Sequence, residues 1–455
     1  MEKRSINTVT RREFVASAVA ASLLAGTSGY SRTITDKRPN LLFILADDLG
    51  WGDLSCYGRP DYETPNLDRL AREGIKFTNA YSAAPVCTPT RCAFITGRYP
   101  ARTPVGLEEP ITWRKNLGDR LYTVGLPPKH PTIASLLKSR DYKTALVGKW
   151  HLGYLPTFGP IQSGFDEFFG IMSGGVDYFT FKDALGELDL FEDKVPVERI
   201  GYLTDLLTER AVGFISRRHT LPFYLSLHYT APHWPWEGPM DRATSAKLKL
   251  GNEGATSGGS IKTYSAMMKS LDDGIGKVMS SLKKAKLDRN TLVIFTSDNG
   301  GERFSYNWPF SGQKFSLREG GTRVPAIVRW TGTVPSGRVT EQVAVTMDWT
   351  TTLLSAGGAK ADANHPMDGD DMLPIVKGVR ANYDRKLFWR TRREDAVRAG
   401  KWKYLRSGDV EYLFDLSVDE REQADFKESH PDTLKNLRDE FQKWQSGVLL
   451  YPKSN

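Results

Sequence analysis

Four stretches of the chain are almost wholly apolar and then stop at polar residues: Leu41–Leu45, Thr144–Val147, Phe223–Tyr229 and Thr291–Ser297. Such runs predict strands buried on both faces, the pattern of a parallel sheet covered by helices. Between them the period changes to three and four. Leu67, Leu70, Ala71 and Ile75 fall on one predicted helix face, and further helices are expected over 131–138, 203–215 and around Trp349–Ala356. Ala326–Trp330 adds one more strand. Beyond Asp368-Gly369-Asp370-Asp371 the pattern becomes short alternating segments, Leu387–Trp389, Ala396–Arg398, Trp402–Leu405 and Tyr412–Asp415, which predict a small antiparallel sheet. A last helix starts at Pro431 and lines up Leu434, Leu437, Phe441 and Trp444. The fold class expected is α/β. A large domain (37–360) holds a central, mostly parallel mixed sheet flanked by helices. A smaller C-terminal α+β subdomain (361–455) holds an antiparallel sheet and a terminal helix.

Composition narrows the partners. The net charge is +8 over 455 residues, which suits anionic ligands. Lys and Arg are dispersed without a long basic block, so no nucleic-acid partner is expected. Three cysteines exclude a disulfide framework. At the start, Arg11-Arg12 precede the small apolar run Ala16–Ala25, a twin-arginine export pattern over residues 1–31. That run is too short to span a bilayer, so no stable membrane anchor is expected. The mature chain is expected in the bacterial periplasm or secreted.

The candidate chemistry gathers around Cys87-Thr88-Pro89-Thr90-Arg91, closed by Thr96-Gly97-Arg98. Pro89 favours a helix start and Gly97 a helix stop, which places Cys87 at a helix N-terminus where anions are favoured. Arg91 adds a permanent charge one turn on. Two strands end in acid-rich clusters, Asp47-Asp48 and Asp298-Asn299, whose hard oxygen donors suit Ca2+ or Mg2+ at the carboxyl end of an open sheet. Gly148-Lys149-Trp150-His151 follows another strand, with Lys149 and His151 expected on one side of an extended backbone. His233 sits on a stiff turn between Pro232 and Pro235. The loop Ser173–Phe179 offers Asp177 and Tyr178 as candidate contacts to sugar hydroxyls. Trp234 and Trp236 can serve a sugar platform or close the core. Glu319 and Arg323 are assigned to structure, Cys56 to packing.

The Cys-Thr-Pro-Thr-Arg motif resembles the signature of the type I sulfatases, members of the alkaline phosphatase superfamily, and the likeness extends over nearly all of the chain after its leader. The resemblance implies that a formylglycine-generating enzyme converts Cys87 to formylglycine. It also implies that Asp47, Asp48, Asp298, Asn299 and residue 87 hold a divalent cation. Lys149, Lys314 and His233 would then meet the sulfate along with the Arg91 region, and His151 would assist the aldehyde chemistry. The implied reaction begins with attack on sulfur by a hydroxyl of the hydrated aldehyde. A proton passes to the leaving alcohol from His233, and sulfate is then expelled with His151 as base. The expected substrate is a sulfated carbohydrate, such as fragments of a glycosaminoglycan or a marine polysaccharide. Two alternatives remain: a phosphonate or phosphate diester hydrolase on the same scaffold, and a sulfated-glycan binding protein without catalysis.

Overall fold

Asn40–Ala46, every residue of it buried, runs through the middle of a ten-stranded sheet. It pairs in parallel with Phe223–His228 on one side and Thr291–Ser297 on the other. Lys143–Gly148 and Glu167–Ile171 continue the parallel set beyond Phe223–His228. Ala326–Arg329 pairs antiparallel with Thr291–Ser297, and shorter strands complete both edges. The result is the mostly parallel mixed sheet expected from the apolar runs. Alternate residues of the central strand feed two cores: Leu42 and Ile44 enter one face, Leu41, Phe43 and Leu45 the other. This is why the run carries no polar position at all. The computed structural model describes residues 38–245 and 258–452. The twin-arginine segment lies outside the described residues.

Helices cover both faces. Leu203–Ser216 packs against Ile261–Lys284, a 24-residue helix whose apolar spacing is diluted in the sequence. Its buried positions Tyr264, Met267, Met268, Leu271, Ile275 and Val278 follow a three–four spacing. Glycines and serines interleaved with them blur that spacing in the sequence. Its Asp272 also caps the neighbouring helix Pro65–Arg72, accepting from the Asn66 and Leu67 amides at 3.0 and 2.8 Å. That helix ends at Arg72. Ile75, expected on its apolar face, instead begins the strand Ile75–Phe77, because Gly74 packs directly against the Val328 carbonyl and the chain turns there.

The C-terminal segments form the expected four-stranded antiparallel sheet, ordered as a meander over Lys386–Arg390, Glu394–Ala399, Trp402–Ser407 and Val410–Asp415. The helix Pro431–Gln445 lies on it through Leu437 and Phe441, with Leu434 and Trp444 half-buried beside them. The other face of this sheet joins Tyr81, Ala93 and Val345 in a shared core, and Trp389 donates its indole N–H to the Ser82 carbonyl at 2.8 Å. Cys56, Cys87 and Cys92 are all free.

Candidate active site

Four parallel strands deliver their functional residues at the same carboxyl end of the sheet, the place where open α/β sheets bind ligands. Ala46 leads to Asp47-Asp48, Ser297 to Asp298-Asn299, Gly148 to Lys149 and His151, and His228 to the turn carrying His233. The helix Cys87–Thr96 points its first residue at this rim and stops at Gly97 in a left-handed conformation (φ 69°). Asp48 (φ 62°) and His151 (φ 55°) also hold left-handed backbone, a strain characteristic of residues fixed for function. For His151 it replaces the extended backbone that the two-residue spacing suggested. Lys149 and His151 therefore diverge, one to Asp47 and the other to the loop at Ile111.

One ligand atom from each of Asp47, Asp48, Cys87 and His233 lies within 4.8 Å of all the others. Lys149 Nζ sits 2.6 Å from Asp47 Oδ2, and Lys314 Nζ 2.8 Å from Asp48 Oδ2. Asp298 is clamped by Arg91, whose Nε and Nη2 donate to Oδ2 at 3.1 and 2.9 Å, while its Oδ1 accepts from the Asp48 amide. Asn299 donates its side-chain amide to Asp48 Oδ1 at 2.7 Å. Its own Oδ1 is buried with no partner. A buried carbonyl oxygen left unpaired beside three carboxylates is what an oxygen-loving cation would satisfy, so the donor set fits Ca2+ or Mg2+.

The electrostatics follow from this crowding. Burial opposes ionisation of Asp48, yet Lys314 and Lys149 hold its carboxyl well below the usual range. Burial and the neighbouring Asp47 push Asp298 up to about 7. Burial drives the Cys87 thiol well above its ordinary value, so it stays protonated despite its place at a helix N-terminus. His151 is held neutral by burial and by Lys149. Its Nε2 lies 3.1 Å from the Ile111 carbonyl, which can only accept, so the proton is on Nε2; Nδ1 is buried and unpartnered. By the same logic His233 carries its proton on Nδ1, 2.5 Å from the Trp234 carbonyl.

A cavity of about 370 Å³ opens here, lined by Cys87, His151, His233 and Lys314 together with Pro110–Trp113, Trp234, Glu302 and Phe315. Arg91 and Lys149, both 0% exposed, lie behind the wall, their charges committed to Asp298 and Asp47. Arg91 thus sits away from the cavity it was expected to serve. Asp177 and Tyr178 are also displaced from their expected role. Asp177 caps the Phe179 and Thr180 amides and accepts from Ser245 Oγ, and Tyr178 donates its hydroxyl to the His233 carbonyl at 2.9 Å. Both are buried and neither lines the cavity. Their loop has a different use: a Cβ on Gly174 would meet the His151 ring at 2.8 Å, and one on Gly175 the His233 ring at 3.0 Å. Of the two tryptophans, Trp234 joins the cavity wall and Trp236 is buried against Phe304.

The Sulfatase family profile matches residues 39–359. The chain belongs to the sulfatase family. It is thereby a sulfuric ester hydrolase of the alkaline phosphatase superfamily. This sulfatase is 35% identical over 390 residues to the N-acetylgalactosamine-6-sulfatase of Canis lupus familiaris, spanning 81% of this chain and 71% of that protein. Among solved structures, Ps i-CgsB in complex with k-i-k-neocarrahexaose superposes with a TM-score of 0.77 at 32% identity, covering 90% of this chain and 92% of that one. The PsFucS1 sulfatase from Pseudoalteromonas sp. gives 0.75 at 26% identity, over 98% and 96%.

Several residues of the sulfatase site carried no signal in the sequence. His228, inside a strand, is buried between Ser226 Oγ (2.8 Å), the Lys149 carbonyl (3.1 Å) and Arg91 Nη1 (3.4 Å). Since Arg91 also donates to the Lys149 carbonyl at 3.0 Å, His228 fixes the backbone from which Lys149 projects. Trp113, Phe315 and Glu302 come from irregular segments, and only the fold brings them to one cavity.

Proposed function

We propose that this sulfatase hydrolyses a sulfate ester of a carbohydrate, with formylglycine made from Cys87 by a formylglycine-generating enzyme and with a bound Ca2+ or Mg2+. The observation that carries the reading is the meeting of Cys87, Asp47, Asp48 and His233 at the foot of one cavity. A sugar substrate is supported by the relatives, one named for N-acetylgalactosamine 6-sulfate and another solved with a carrageenan oligosaccharide. Asp47, Asp48, Asp298 and Asn299 would hold the cation, and the cation with the hydrated aldehyde would supply fixed positive charge and an acidified hydroxyl nucleophile.

The protein's own groups have distinct tasks in this reading. Lys314 and His233 line the cavity and bind sulfate oxygens, offsetting the charge that shifts during transfer. Lys149 and Arg91 work from behind, keeping Asp47 and Asp298 oriented. His151, neutral with Nδ1 free, is placed to take the proton when sulfate leaves residue 87. Burial favours the neutral His233 ring, although Asp48 pulls the other way. A bound sulfate ester favours the protonated ring, which can then protonate the leaving alcohol. Export through the twin-arginine pattern would bring the enzyme to extracellular or periplasmic glycans.

The test is sulfate release by protein whose residue 87 has been verified by mass spectrometry, on a panel of sulfated mono- and oligosaccharides beside a phosphate diester. Release from one sugar position supports the reading. Cleavage of the diester alone supports the diester hydrolase, and binding without turnover supports a glycan-binding protein.

A further inference from the structure

The geometry points to a subsite at the cavity mouth for a single uncharged sugar ring, with Glu302 sorting leaving groups by their charge. This rests on the sulfate-ester reading above and goes beyond it, since it specifies the alcohol that leaves.

Size comes first. A cavity of about 370 Å³ is near the small end of ligand pockets and has room for one sulfated ring, with further rings left outside. Its walls fit such a ring. Trp113 and Trp234 meet edge to face with centroids 6.2 Å apart, and Trp234 in turn leans on the His233 ring at 4.8 Å. Phe315, 55% exposed and held at φ 73°, stands on the same rim as Lys314. These aromatic surfaces match the C–H face of a pyranose and offer nothing to a charged substituent.

Charge comes second. The floor is built to attract an anion, yet Glu302 lines the same cavity, its Oε1 3.2 Å from Lys314 Nζ. A carboxylate there weakens the pull of Lys314 on any anion, so it opposes the site's main task. Its place in the cavity lining gives it a second task. It can accept a hydrogen bond from a hydroxyl of the leaving ring, and it repels a carboxylate or a second sulfate on that ring. Arg303, the next residue, lies over the Trp236 and Phe304 rings at 5.5 and 5.1 Å.

The test compares kcat/KM for N-acetylgalactosamine 6-sulfate with that for its 4,6-disulfate, using wild type, Glu302→Gln and Glu302→Ala. The wild type is expected to prefer the monosulfate by about tenfold or more, and both variants to bring the ratio close to one. Trp234→Ala is expected to raise KM for the monosulfate about tenfold, with a smaller rise for 4-nitrophenyl sulfate. An unchanged ratio in both Glu302 variants, whatever their absolute rates, overturns the proposal. So does a wild type that prefers the disulfate. A wild type that hydrolyses neither sugar nor 4-nitrophenyl sulfate sinks the sulfatase reading itself, which separates the two failures.

Discussion

Two clusters of buried charge lie close together in this chain, and they behave differently. One is the proposed active site. The other ties the C-terminal sheet to the segment that carries Lys314. There Glu319 Oε1 pairs with Lys403 at 2.9 Å, and its Oε2 accepts from Tyr81 at 2.6 Å and lies 3.3 Å from Arg323. Lys403 also reaches Glu422 at 2.8 Å, and Glu422 accepts the Glu319 amide at 2.7 Å. Burial opposes the ionisation of Glu319, but Lys403, Arg323 and Arg398 carry its carboxyl down to about 2. Both oxygens of Glu319 are satisfied within the protein. In the proposed active site, by contrast, Asn299 Oδ1 and His151 Nδ1 are buried without partners, and His151 lines a cavity. Buried charge alone therefore does not mark a site. Unsatisfied donors and acceptors facing a cavity do.

The comparison can be broken by substitution. Cys87→Ala should lower sulfate-ester turnover by at least about 1,000-fold with little change in melting temperature, since the residue belongs to chemistry more than to scaffold. Lys403→Met should act in the opposite sense. It leaves the buried Glu422 without its cation and Glu319 with Arg323 and Arg398 alone, at a cost of about 3–5 kcal/mol in urea unfolding at neutral pH. The fraction still folded should turn over substrate at near wild-type kcat. His228→Ala should reduce kcat about tenfold with KM less affected, by loosening the Lys149 backbone and Arg91. Asp272→Ala removes a helix cap far from both and should cost about 1 kcal/mol with no change in kinetics.

The parts legible in the sequence were those where local pattern and tertiary role agree. The central strands are apolar throughout because both faces are buried, and their polar ends fall at the site because parallel strands end together. The helix at Cys87 was marked by Pro89 and Gly97. Illegible were residues whose role is set by what lies across from them. Asp177 and Tyr178 look like sugar contacts in a glycine-rich loop, yet the glycines serve to admit two histidine rings and the polar groups turn inward. His228 looks like one more strand residue until Arg91 and Lys149 arrive from distant segments. The long helix Ile261–Lys284 escaped because Gly274, Gly276 and several serines dilute its apolar face.

The most direct measurement is a calorimetric titration of Ca2+ and Mg2+ into chelator-stripped protein, wild type against Asp47→Asn. One saturable site per chain is expected in the wild type and its loss in the variant, with melting temperature rising on binding only in the wild type. Absence of saturable binding in the wild type, or equal binding by both proteins, would contradict the assignment of this cluster as a cation site.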